Sequence, residues 1–415
     1  MRFRTSIIAL AVAAALPSVS SAVEFSYNGF TTAGYSQLDK DDVVFKTTND
    51  MDGIDSDGSF EYDSIIGLQG TVKFSDQWAF TAQGVVKRET DGDFGPSIDW
   101  AYLKWQPLSN LAVRAGLTRP PTFMFSDSIY VGYSNIWVRP PLEVYGISPV
   151  YQLAGVDAVW RTNLGPVRLT VQPYFGNSKL ELPNTTTGNG EYELDVKDWY
   201  GLALTGEYGS FSGRIGWGTK QYDEELPSLV PLKTQLTAVG YADLAREMGM
   251  DQNKSPILNV GLQYDNATQF VVAEYAHRGT DSIVVPELSG AYLTFGNRFG
   301  SFTPYATVAL LNVDSPRTNE DIVIPAPAPG NAVLRATLAS LDATVDRLAG
   351  AVSDQNTYSL GLRYDVPAFS VVKGAVVKAQ IDHIDPKDGK GFFGQAPVGF
   401  SESVNVYSLT FDFIF

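Results

Sequence analysis

Apolar and polar side chains alternate along most of the chain, most plainly in its last nine residues, YSLTFDFIF. Tyr407, Leu409, Phe411, Phe413 and Phe415 fall on one side; Ser408, Thr410 and Asp412 fall on the other, with Ile414 the single apolar intruder. A period of two marks a strand with unlike faces. The same rule separates Ala154, Val156, Ala158 and Trp160 from Gly155, Asp157, Val159 and Arg161. It also separates Leu258, Val260, Leu262 and Tyr264 from Asn259, Gly261 and Gln263. Sixteen such runs are predicted, near 24–38, 60–75, 77–90, 97–107, 110–119, 151–162, 165–176, 196–209, 211–221, 255–265, 268–279, 289–299, 301–313, 354–366, 372–385 and 402–415.

Between the runs, short and long connections take turns. Brief turns lie near 75–77, 107–109, 163–165, 209–210, 265–266, 300 and 367–371, and long polar loops at 39–59, 91–96, 120–150, 177–195, 222–254, 280–288, 314–353 and 386–401. An up-and-down meander with tight turns at one end and long loops at the other is the plan of an outer-membrane barrel. An even strand count also brings the last strand beside the first, where the chain closes. The expected fold is therefore all-β: a sixteen-stranded antiparallel transmembrane β-barrel with short periplasmic turns and long extracellular loops. Tilted strands of about 9–11 residues span a bilayer core, and a closed barrel satisfies every backbone group there. The apolar face then meets lipid and the polar face lines water. Trp78, Trp105, Tyr208 and Tyr264, near strand ends, are candidates for interfacial girdles.

The N-terminus agrees with export. Arg2 and Arg4, an apolar stretch from Ile7 to Leu16 and Ser20-Ser21-Ala22 predict a signal peptide over 1–22, leaving a barrel of 23–415. There is no cysteine, so an exported chain of this kind is not held by disulfides. Loss of the two leader arginines takes the formal charge from −16 to −18, which counts against nucleic acid as a partner.

With the polar face inward, the basic candidates on the wall are Lys87, Lys104, Arg114, Arg161, Arg168, Arg214, Arg278, Arg298, Arg363 and Lys378. Asp157, Glu207, Glu274 and Asp382 are their acidic counterparts. Such charges set the field of a pore. Loop 120–150, after the fifth strand, is rich in proline and aromatics, with Tyr130, Tyr133, Trp137 and Tyr145. That composition predicts a compact segment folded into the lumen, where it constricts the channel. It would carry Asp127, Arg139 and Glu143 opposite Arg114 and Arg161, with Arg119 anchoring the loop to the wall.

The leader, the sixteen-strand meander, the long loop after strand five and the terminal Phe415 together resemble the trimeric porins of Gram-negative outer membranes. Arg119-Pro120-Pro121 and Arg139-Pro140-Pro141, the latter inside WVRPPLEVY, are similar to a proteobacterial subgroup. The architectural resemblance covers the mature chain; specific motifs lie only in 113–151 and the last ten residues. It implies a constricting third loop, a homotrimer, contact with outer-membrane lipid and lipopolysaccharide, and passive diffusion of small hydrophilic solutes without a cofactor. In that family a terminal phenylalanine preceded by alternating hydrophobics is read by the barrel-assembly machinery, a role that falls here on Phe411, Phe413 and Phe415. This third loop departs from the better-known general porins in its scarcity of carboxylates, which counts against cation preference. A channel selective for small anions such as phosphate or dicarboxylates is the alternative within transport, and a surface adhesin the alternative outside it.

Three further features remain. Asp50, Asp52, Asp55 and Asp57 crowd one loop, but their spacing is not that of an EF-hand, leaving a weak Ca²⁺ candidate and otherwise no metal. Leu334, Leu338, Leu341, Val345 and Leu348 recur at helical spacing and predict a helix over 331–352 in the seventh loop, with a weaker one at 235–249. Catalysis is not expected, since His277 and His383 are the chain's two histidines and neither stands in a recognisable serine motif.

Overall fold

Sixteen strands close into a barrel in which each is hydrogen-bonded to its neighbours in sequence. The computed structural model describes residues 23–47, 52–90, 92–183, 191–314, 322–349, 352–367, 374–387, 391–397 and 400–415. The predicted leader 1–22 and Asp50 lie outside these. In chain order the strands are β1 (Glu24–Leu38), β2 (Ile65–Lys73), β3 (Trp78–Arg88), β4 (Phe94–Leu108), β5 (Leu111–Thr118), β6 (Leu153–Leu164), β7 (Val167–Pro183) and β8 (Glu191–Tyr208). There follow β9 (Phe211–Tyr222), β10 (Lys254–Asp265), β11 (Gln269–Arg278), β12 (Leu288–Asn297), β13 (Phe302–Val313), β14 (Gln355–Val366), β15 (Gly374–Pro386) and β16 (Val404–Ile414). Each predicted run has its strand.

Closure is made by β16 running antiparallel to β1, with Ser36 opposite Ser408 and Thr32 opposite Asp412. Beyond the last paired strand residue, Phe415 and Gly29 exchange both backbone hydrogen bonds at 3.0 Å. Gly29 has no side chain, and the Phe415 ring lies where a Cβ would stand. An aromatic ring laid across a facing glycine restores cross-strand packing that glycine cannot offer. At the opposite end of this seam, a small ribbon pairs Val44–Phe45 with Phe393–Gln395. Phe45, Ile54, Phe393 and Phe400 there join Leu38, Val404 and Val406 in one apolar cluster.

The two faces sort as their alternation predicts. Tyr407, Leu409 and Phe411 are exposed on the outer surface while Ser408, Thr410 and Asp412 are buried inward. Leu262, Leu293 and Leu360 likewise stand outside, each more than half exposed. Among the described residues no helix is long and apolar enough to cross a membrane.

Two strands run further than the pattern suggested. β7 and β8 continue past 176 and before 196 because their faces exchange chemistry at a bulge between Gly176 and Ser178. Beyond it, Leu180, Leu194 and Val196 point inward into an apolar cluster with Trp199 and Tyr222. Lys179 and Glu193 pair across the strands, well exposed. The expected helix at 235–249 is two: α2 (Val230–Ala238) and α3 (Ala242–Glu247), separated at Gly240, whose φ of +100° suits glycine. α4 (Ala332–Ala349) answers the predicted helix of the seventh loop. Its Leu338, Leu341 and Val345 are buried against Leu232, Leu236, Leu244 and Met248 of the fifth loop, forming a small helical cap. Leu334, which the stripe included, remains exposed.

Candidate functional site: a loop fastened inside the barrel

The chain leaves β5 at Thr118 and turns inward, so that segment 119–152 lies against the inner wall. Arg119 fixes the turn. Its guanidinium pairs with Asp99 at 2.5 Å, donates to the Ser126 carbonyl at 3.1 Å and lies 4.4 Å from the Tyr130 ring centre. Both partners are buried, and such a pair is costly to break once one member is removed.

From there the wall reaches into the loop at one position after another. Arg214 donates to the Pro121 carbonyl at 2.5 Å, and Arg363 to those of Tyr133 and Asn135 at 2.7 and 3.2 Å. Lys378 donates to Gly132 and Trp137 carbonyls at 2.9 and 2.7 Å, with Asp412 3.2 Å away. Arg278 donates to the carbonyls of Ile147 and Pro286. A loop without regular structure leaves carbonyls unpaired, and buried cations on the wall satisfy them. Trp137 is held by Thr294 and Thr307, whose hydroxyls accept from its indole N–H at 2.9 and 3.1 Å.

Arg139 and Glu143 serve the same purpose from the loop's side. Arg139 reaches Asp63 at 2.5 Å, Asp382 at 3.5 Å and the hydroxyls of Ser36 and Ser408 at 3.1 and 2.7 Å. Glu143 stands in a single helical turn, α1 (Leu142–Tyr145), and accepts from Gln355 at 2.8 Å and from Thr357. Burial pushes its carboxyl above the usual range, only partly opposed by those two donors. Glu274 of β11 receives the Met124 backbone N–H at 2.7 Å and hydroxyls of Tyr145 and Tyr292 at 2.8 and 2.9 Å. Neither Arg139 nor Glu143 meets Arg114 or Arg161; Glu143 is buried and Arg139 largely enclosed at the loop–wall contact.

A different set faces open water. Arg114 binds Asp157 through two nitrogens, its Nε 2.7 Å from Oδ1, and lies over Tyr102. Lys104 is its cross-strand neighbour on β4, and Arg161 lies on β6 beyond Asp157 toward the short-turn end. Among the described residues neither Lys104 nor Arg161 has an ion-pair partner. Arg168 pairs with Glu207 at 2.9 Å, both exposed. Asp127, at the loop's inner turn, is exposed and within electrostatic reach of Arg114 and Arg214. Lys87 pairs with Glu89 at 2.6 Å near the long-loop end, and Arg298 with Asp265 through two 2.7 Å bonds near the short-turn end.

Asp63, Asp99 and Lys220 are participants that the expectations did not include. Lys220, buried beside Trp199, donates to the Ser148 hydroxyl at 2.8 Å; its even position on β9, two by two from Arg214, already set it on the inner face. Asp63 falls within the predicted run 60–75 but lies just before β2 as the strand forms, and it was not singled out.

The remaining candidates find ordinary partners. Asp52 pairs with Arg88 at 3.1 Å, while Asp55 accepts the backbone N–H groups of Asp57 and Gly58 at 3.1 and 3.2 Å. Among the described residues no three acidic or histidine side chains are grouped to hold a metal ion. His277 and His383 sit on the outer surface, the first between Glu287 and Asp314 at 3.3 and 3.5 Å, the second 2.9 Å from Asn405.

The sequence pattern of the Gram-negative porins matches residues 9–392. The chain belongs to the Gram-negative porin family. No curated protein matches this porin in sequence. Solved structures do match it in fold. OmpT of Vibrio cholerae in its trimer form is 12% identical with a TM-score of 0.53, over 95% of this chain and 100% of that one. The anion-selective porin from Comamonas acidovorans is 12% identical with a TM-score of 0.51, over 95% and 100% of the two chains. OmpF of Salmonella typhi, bound to daunomycin, is 9% identical with a TM-score of 0.52, over 94% and 97%. At such identities the likeness is one of fold. Family and fold together make this porin an outer-membrane β-barrel channel.

Proposed function

We propose that this porin gives passive diffusion to small hydrophilic solutes and ions, with a preference for anions, through the water between the 120–150 loop and the wall of β4 to β7. The carrying observation is the imbalance of open charge there. Lys104 and Arg161 stand unpaired on the wall beside Arg114, whose charge Asp157 balances, while Asp127 is the loop's exposed carboxylate. Paired charges largely cancel at the distance of a passing ion; unpaired ones on one wall bias which sign enters. The loop is the constriction, and the cations bound to its carbonyls keep it in place rather than selecting solutes. Short turns face the periplasm and long loops the exterior, as outer-membrane barrels are oriented.

The paired RPP segments favour membership of a proteobacterial subgroup, and the trimer form of the Vibrio protein supports a homotrimer here. Lipopolysaccharide at the rim and the barrel-assembly machinery acting on Phe411, Phe413 and Phe415 complete the expected partners. Residues 1–22 are read as the leader. Reversal potentials across a planar bilayer in a KCl gradient test the selectivity. Chloride preference is expected; a preference for K⁺ overturns it, and purified protein that opens no channel overturns the diffusion reading itself.

A further inference from the structure

Above the loop, toward the long-loop end, the wall of β1 to β4 and β7 leaves a solvent-open recess of about 410 Å³. Its lining is unlike a plain water channel. Tyr130 and Tyr151 contribute rings that meet edge to face, 6.2 Å between centres. Ile129, Val138 and Leu142 add apolar surface beside them. Neither tyrosine hydroxyl has a hydrogen-bond partner among the described residues. Burial raises both phenols, Tyr130 to about 12 against the pull of Arg119, so each keeps its proton as a donor at neutral pH.

The recess is also electrically even. Four basic and four acidic side chains line it, a net charge of zero, with Lys87 paired to Glu89 and Arg139 to Asp63. An anion gains nothing from such a field, in contrast to the strip of Lys104, Arg114 and Arg161 below. A wholly apolar solute would strip water from the ion pairs without replacing it. The solute that fits is uncharged, has an apolar face for the rings and carries hydroxyls around its edge for the phenols and carboxylates. A pyranose sugar has that chemistry.

We propose that this recess is a binding site for a neutral mono- or disaccharide, occupied before the solute passes the loop. The inference rests on the reading of the chain as an open channel. Single-channel KCl current is recorded while maltose is added to the long-loop side, then to the short-turn side. Expected are saturable interruptions of the current, stronger from the long-loop side. Tyr151→Ala weakens the apparent affinity about tenfold, and Tyr151→Phe, which keeps the ring, less. KCl current that maltose leaves untouched overturns the sugar site while the porin reading stands; absence of any KCl current strikes that reading instead. Interruptions unchanged in both variants, or produced better by 4-hydroxybenzoate than by maltose, also overturn it. The KCl conductance of each variant shows whether its barrel has folded.

Discussion

Arg161 and Arg139 are both arginines of the inner surface, yet their surroundings give them opposite work. Arg161 is exposed with no ion-pair partner among the described residues, whereas Arg139 is enclosed by Asp63, Asp382, Ser36 and Ser408. Replacing Arg161 by Gln removes an open positive charge and should move the reversal potential in a KCl gradient toward cations, with little loss of stability. An unchanged potential would take Arg161 out of the ion path. Glu143 offers a test of burial. Its folded-state carboxyl titrates above the ordinary 4.5, so the folded protein holds that proton more tightly than the unfolded chain. Its contribution to stability is therefore greatest in acid and declines as pH rises through and above 4.5. Compared with Glu143→Gln, the wild type should lose thermal stability as the pH is raised from below 4.5 to above it. Parallel curves for the two proteins would refute the claim. Parity along its strand disclosed the face of Arg161, whereas Arg139 and Glu143, in a loop without such a period, were set in the lumen by the loop's composition. The sequence did not disclose that Arg139 is enclosed, because two of its carboxylate partners, Asp63 and Asp382, stand in distant parts of the chain and meet it only in the closed barrel.

Strands were readable because lipid outside and water inside impose period two on each of them separately. β7 and β8 escaped that reading at their tips, where leaving the apolar band lets charge move outward and leucines inward. Loops obey no such period. The 120–150 segment announced itself through rings and prolines, but its attachment to Lys378, Arg278 and Arg363 is written in the wall, not in the loop. The helical cap is the converse case: the stripe of α4 and a weaker helix in the fifth loop were both visible, but not that the two pack together. Because Leu341 is buried among the loop helices, Leu341→Ala should cost about 2–5 kcal/mol locally. Limited proteolysis of the intact barrel should then cut faster near α4 while the heat resistance of the barrel is kept. A matching fall in barrel heat resistance would show that cap and barrel melt as one.

For the whole molecule, the seam between β1 and β16 decides whether there is a barrel at all. Phe415 contributes two backbone hydrogen bonds and a ring over Gly29, all on the outer side. Deletion of Phe415 should lower the yield of folded barrel and its unfolding midpoint, read by the mobility of unheated samples on gels. Conductance per open channel should not change, since Phe415 does not face the lumen. A changed conductance with normal yield would contradict this division. The seam also bears on time. Ser36 comes from the first strand, Ser408 from the last, and Arg139 holds both in one grip. That grip cannot form while the two ends of the chain are apart, so this last fastening of the loop waits until the circle is complete. A barrel caught half-assembled would lack it, and the finished constriction is then a record that closure has already happened.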